Sequence, residues 1–127
     1  ERHPVLTAPE LLSIRVDESL YFANSRFLED TIAAYVAERP DVRHVILMCS
    51  AVNAIDASAL ESLEEINRRL ADVSIGFHLS EVKGPVMDRL KTTRFLQHLN
   101  GNVFLSQHEA VNTLTSGGLP AMSVPKP

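Results

Sequence analysis

The groups in this chain that could do chemistry are Ser58, the aspartate two residues before it (Asp56), a single cysteine and five scattered histidines. Nucleophilic chemistry at Ser58 would need a base within hydrogen-bond reach and a third group to orient that base. His78 and His98 are the available bases, and no spacing in the chain joins either one to Ser58. The sequence therefore predicts no catalytic residues and no enzyme. Metal chemistry meets the same obstacle, because His3, His44, His78, His98 and His108 form no metal-ligand spacing with one another or with Cys49. As the only cysteine, Cys49 excludes an internal disulfide and fits a reducing compartment. Nor is there a phosphate-cradling turn, since Gly117–Gly118 lies in the tail and no Gly-rich turn ends in Lys. No cofactor and no metal are expected.

Charge narrows the partners. Twelve Lys and Arg against 16 Asp and Glu give a net charge of −4. Counterion release rewards a clearly basic face, so no nucleic acid is expected and a protein is the better partner. Lys83, Arg89, Lys91 and Arg94 could receive an acidic partner or an anionic membrane leaflet, but Glu81 and Asp88 dilute them into an ordinary solvated face. Tyr21, Phe22 and Phe27 could form an apolar contact surface, with core packing as the default.

These groups must be held by elements that periodicity makes legible. Leu12, Ile14 and Val16 alternate with Ser13, Arg15 and Asp17, which predicts a first strand. Leu20–Tyr21–Phe22 predicts a second, hairpinned to it. Asn24 or Ser25 can cap a helix whose stripe is Leu28, Ile32, Tyr35, Val36 and Arg39, stopped by Pro40. Val42–Cys49 contains the unbroken apolar run Val45–Met48 of a strand buried on both faces. Ser50–Ala59 is a loop of small residues. A second helix follows, with Leu60, Leu63, Ile66 and Leu70 on one face, and Ser58 and Glu61 have capping-box spacing. Ser58 is thus better read as a cap than as a phosphorylation site. Val73, Ile75, Phe77 and Leu79 predict another strand, Gly84–Pro85 starts a third helix, and Val103–Leu105 predicts the last strand. Ser106 and Glu109 repeat the capping-box spacing ahead of a fourth helix. The predicted order is β-β-α-β-α-β-α-β-α, an α/β fold with a mixed, mainly parallel sheet of about five strands and about four helices.

At 127 residues the chain fits one domain, expected over 9–115, with residues 1–8 a linker and 116–127 a flexible tail rich in Gly and Pro. No apolar run approaches the roughly 20 residues of a membrane-spanning helix. Beginning at Glu1 without a leader-like segment, the chain is read as a piece of a longer protein.

Three stretches carry a resemblance to the STAS family, named for sulfate transporters and anti-sigma factor antagonists, over roughly residues 9–115. Ser19–Leu20–Tyr21–Phe22–Ala23–Asn24 looks like the segment before the first long helix of SulP-type members, and Val42–Leu47 looks like the central strand. Val52–Asn53–Ala54–Ile55–Asp56–Ala57–Ser58–Ala59–Leu60 looks like the signature loop. Phosphorylatable members carry a serine directly after the aspartate, where this chain has Ala57. A glycine usual later in the loop is replaced by Ala59. The SulP branch therefore resembles this chain better than the free-standing antagonists do.

The resemblance implies an α/β STAS (SpoIIAA-like) fold and a cytosolic regulatory, protein-interaction domain of a SulP-type secondary anion transporter. The alternative is a free-standing partner-switching protein of the antagonist type. It also implies a place on the cytoplasmic side of the membrane as part of an integral membrane protein. The partners would be the membrane part of the same transporter and a cytosolic protein, with a homo-oligomer formed through the parent transporter. The transport site would lie in that membrane part and not in these residues. Asn53, Ile55, Asp56, Ala57, Ser58, Ala59 and Leu60 form the candidate interaction loop, in which Asp56 could organise the backbone or simply favour a helix N-terminus.

Overall fold

The computed structural model describes residues 2–115. The tail expected over residues 116–127 lies outside the described residues. In chain order the elements are β1 (Arg2–Ala8), β2 (Leu11–Val16), α1 (Phe22–Ala37), β3 (His44–Met48), α2 (Ala57–Asp72), β4 (Gly76–Ser80), α3 (Gly84–Lys91), α4 (Phe95–His98), β5 (Val103–Phe104) and α5 (Gln107–Thr115). One five-stranded sheet has the order β1-β2-β3-β4-β5. The β1 strand is antiparallel to β2, and β2 to β5 run parallel.

Strand alternation sorts the core into two layers. Leu12, Ile14, Val16, Val45, Leu47, Phe77 and Leu79 join one apolar cluster with Leu28 and Ile32 of α1, with Leu60, Leu63, Ile66 and Leu70 of α2, and with Val86, Leu90 and Phe95 from α3 and α4. The other face of the sheet contributes Leu11, Ile46 and Phe104, which pack with Ala110, Val111 and Leu114 of α5. Val45, Ile46 and Leu47 are all fully buried, as the unbroken apolar run predicts for a central parallel strand.

Several expectations are corrected. Residues 2–8, expected as a linker, form the edge strand β1, with Pro4 opposite Ile14. Proline inside a run argues against a central strand, but an edge tolerates it because one side of the strand has no ladder to serve. The antiparallel hairpin is therefore β1–β2, one strand earlier than expected. Leu20–Tyr21–Phe22 is no strand. Leu20 makes a single parallel bridge to Ile55, and Phe22 already opens α1. Tyr21, rather than Asn24 or Ser25, is the cap residue. Its N–H donates to Asn24 Oδ1 at 3.0 Å, a contact the third helical residue can make by folding back.

The Val73–Leu79 alternation also overreaches. Helix α2 runs on to Asp72, Ser74 takes a left-handed φ of 63° and the Ile75 N–H caps back to the Leu70 carbonyl at 2.8 Å. Val73 is consequently 60% exposed and the strand starts at Gly76. A short additional helix, α4, fills the stretch before β5 and buries Phe95 completely. Capping at α5 follows expectation, since Ser106 Oγ accepts from the Glu109 N–H at 3.0 Å. The Glu109 carboxylate takes the N–H of Leu105 at 3.1 Å.

Candidate functional site

The loop from Asn53 to Leu60 crosses from β3 to α2, and a second, earlier segment fastens it. Ser19, just before α1, uses one hydroxyl oxygen to accept from the N–H groups of Asn53 (3.2 Å) and Ala54 (3.1 Å). Its neighbour Leu20 donates to the Ala54 carbonyl at 3.0 Å and accepts from the Asp56 N–H at 3.1 Å. Asn24 closes the arrangement by donating Nδ2 to the Ser19 carbonyl at 2.8 Å. Beneath these bonds Leu20, Val52, Ile55, Ala59 and Leu60 are buried, and burying a side chain such as Leu20 contributes about 1.5–3 kcal/mol. Apolar residues therefore anchor the loop from below while its backbone polar groups are bonded sideways.

Helix α3 holds the other side. Lys83 Nζ donates to Asn53 Oδ1 at 2.6 Å, and Arg89 Nε donates to the Ile55 carbonyl at 3.3 Å. Half of the basic cluster read from the sequence is thus engaged with this loop, while Lys91 and Arg94 are exposed. Neither Ser19 nor the two α3 cations is signalled by periodicity. Ser19 was visible only as part of the Ser19–Asn24 stretch.

Helix α2 begins one turn-fraction earlier than its capping-box spacing suggests. Asp56 is extended (φ −97°, ψ 177°) and its Oδ1 accepts from the Ala59 N–H at 2.9 Å. It is therefore the cap, and Ser58 is the second helical residue. Asp56 wins because its carboxylate meets both an orphan N–H and the positive helix end. Asn53 and Ala57 face solvent, Asp56 and Ser58 are half-buried, and Ile55, Ala59 and Leu60 point inward. Of the seven loop residues, only the first group presents a surface. Tyr21 and Phe27 on the adjoining helix start are 48% and 60% exposed, so core packing is not their role. The side chain of Phe22 lies outside the described residues.

The groups considered for catalysis are dispersed. His98 Nδ1 sits 3.1 Å from both Glu64 oxygens. His78 is buried on the sheet face that α5 covers, where its Nδ1 accepts from the Asn102 N–H at 3.0 Å and its Nε2 lies 3.0 Å from His44 Nδ1. An acceptor at Nδ1 puts the proton of His78 on Nε2, which donates to His44, so both rings are neutral. Burial, reinforced by the facing His44, pushes His78 down to about 3. Cys49 is buried and its thiol is pushed up to about 12, which leaves no thiolate for chemistry at neutral pH. Among the described residues, no three His, Cys, Asp or Glu side chains converge to hold a metal ion, and no helix is long and apolar enough to cross a membrane.

A central parallel strand, a small-residue loop bonded to the segment before the first helix, and an aspartate-capped second helix are found where the STAS resemblance lies. The chain belongs to the STAS domain family, whose model matches residues 4–110. Among curated proteins it is 32% identical over 118 residues to "Probable sulfate transporter 3.4" of Arabidopsis thaliana, covering 85% of this chain and 18% of that protein. The chain thus spans under a fifth of that relative's length. Among solved structures it resembles the murine Solute Carrier 26 family member A9 anion transporter (TM-score 0.75, 20% identity, 85% of this chain and 18% of that one). A putative anti-sigma factor antagonist from Thermotoga maritima matches with TM-score 0.76 and 14% identity, over 87% of this chain and 92% of that one. At such identities the structural matches speak to the fold alone.

Proposed function

We propose that this chain is the cytosolic regulatory domain of a SulP-type secondary anion transporter and that the exposed part of the Asn53–Leu60 loop is its contact surface. The domain is non-enzymatic, and its partners are the membrane part of its own transporter and a cytosolic protein, with any homo-oligomer formed through the parent. The observation that carries this reading is the sequence match to sulfate transporters together with Ala57 at the position where phosphorylatable members have serine. A partner-switching antagonist controlled by phosphorylation needs a hydroxyl there, and alanine has none.

The loop's construction supports a docking role. Ser19 and Arg89 fix its backbone and Lys83 holds the Asn53 side chain, so a partner would meet a preformed surface and lose little entropy in ordering it. Replacing Ala57 with Glu changes that surface while leaving the fold intact, because a carboxylate in the first turn is favourable by about 0.3–1 kcal/mol. In the intact transporter, Ala57→Glu should reduce anion uptake at unchanged membrane abundance. Unchanged uptake would remove the loop from regulation.

Antibodies raised against the domain test the larger claim in the native producer. A large band retained in alkaline-washed membranes supports the transporter assignment. A small band in the cytosol would replace it with the free-standing antagonist.

A further inference from the structure

Away from the loop's bonded backbone, α1 and α2 enclose a polar slot. Ser25, Arg26 and Glu29 of α1 face Ser58, Glu61 and Ser62 of α2 across a volume of about 120 Å³. Spacings of three and four residues put each trio on one helix face. Glu29 is only 9% exposed and Ser62 only 7%. Among the described residues, the Glu29 carboxylate has no hydrogen bond or ion pair. A mostly buried carboxylate without a donor favours a cation beside it.

The lining identifies the counterion. Apart from the Arg26 guanidinium, every polar side chain there offers oxygen, two carboxylates and three hydroxyls, and no sulfur or imidazole donor lines the slot. Hard cations take such oxygen sets, whereas soft metals select thiolate and imidazole. The slot has room for an ion and a few waters, each of which occupies about 30 Å³. Calcium accepts oxygen ligands in flexible geometry, whereas magnesium demands a near-ideal octahedron.

We propose that this slot binds a divalent cation of the calcium class, with Glu29 and Glu61 as charged ligands and the Ser58 and Ser62 hydroxyls as neutral ones. Only two ligands carry charge, and Arg26 opposes them, so the affinity is weak, in the range of about 10⁻⁴–10⁻³ M. The bound ion ties α1 to the second residue of α2 and so stiffens the helix start that the signature loop feeds.

The test is calorimetric titration of the chelator-treated domain with Ca²⁺, with Mg²⁺ and Na⁺ run in parallel, alongside thermal unfolding in each ion. One saturable Ca²⁺ site, a Ca²⁺-dependent rise in Tm, affinity weakened about tenfold or more by Glu29→Gln and affinity increased by Arg26→Ala are expected. The absence of saturable binding up to about 10 mM, beyond the weakest calcium modules, overturns the proposal. Binding left unchanged by both Glu29→Gln and Ser62→Ala also overturns it, by moving the ion to the Glu64, Glu65 and Asp72 side of α2. If circular dichroism shows Glu29→Gln unfolded, Ser62→Ala decides alone: unchanged affinity defeats the site and weakened affinity supports it.

Discussion

Acidification should destabilise this domain chiefly through His78. In the unfolded chain its imidazole takes a proton near 6.5, whereas in the folded protein burial and the neighbouring His44 hold it down to about 3. The sign follows directly. A group whose folded value is depressed leaves the unfolded state binding more protons as pH drops, so stability is complete above about 6.5 and falls below it. Each pH unit in that window costs about 1.4 kcal/mol, so moving from about pH 8 to about pH 5 removes about 2 kcal/mol. That is a large share of the 5–15 kcal/mol typical of a domain. His44, lowered by burial and by Arg43 against an opposing pull from Glu10, acts in the same direction. Glu65, held below the carboxylate range by hydrogen bonds from Arg68 and Arg69, contributes only at lower pH. Urea unfolding at both pH values should show the loss in the parent, and His78→Gln should remove most of the pH dependence. Equal stability of the parent at the two values, or an undiminished slope in the variant, would refute the tautomer argument built on Asn102 and His44.

Other perturbations separate roles that the sequence leaves merged. Asp56→Ala should cost about 1 kcal/mol by urea unfolding through the lost α2 cap, while Ser58→Ala costs under about 0.5 kcal/mol. Ser19→Ala should destabilise by about 1–2 kcal/mol and speed hydrogen exchange at the Asn53 and Ala54 amides, both of which its hydroxyl accepts. A Cβ at Gly101 would collide with the Phe77 carbonyl and the His78 ring, so Gly101→Ala should lower stability by about 1–3 kcal/mol or more, whereas Gly84→Ala meets nothing within 4 Å and should gain about 0.5 kcal/mol. Cys49 should resist thiol reagents until the domain unfolds, measured as labelling rate in and out of urea.

Much of the architecture was legible because its period survives in the residues. Leu28 and Ile32, or Leu60, Leu63, Ile66 and Leu70, repeat at helical spacing and are buried where they should be. Reading failed where a local signal competed with a tertiary one. Leu20 has strand character, yet it is a single buried plug paired with Ile55, a contact 35 residues away that local patterning does not register. The Ser58–Glu61 spacing imitates a capping box, while the real cap, Asp56, lacks a glutamate three residues on. Strand β1 was hidden by Pro4, whose presence is informative only once the edge is known. In the loop, the exposed residues could not be told from the buried ones until Leu20 fixed which side faced the core. The Lys83 and Arg89 clamps depend on how α3 docks, which no spacing encodes.

The strand order itself has a consequence for where recognition can occur. Position in the sheet follows position in the chain without reversal from β1 to β5. In doubly wound folds, small ligands settle where the order turns back and the connections leaving the strand tips diverge to opposite faces, opening a crevice. Between β2 and β5, helices α1 to α4 all contribute to the same core layer, so successive connections fold over to one side and the crevice is never opened. What remains at that rim is a row of adjoining crossings, suited to being read as an outer contour by something large.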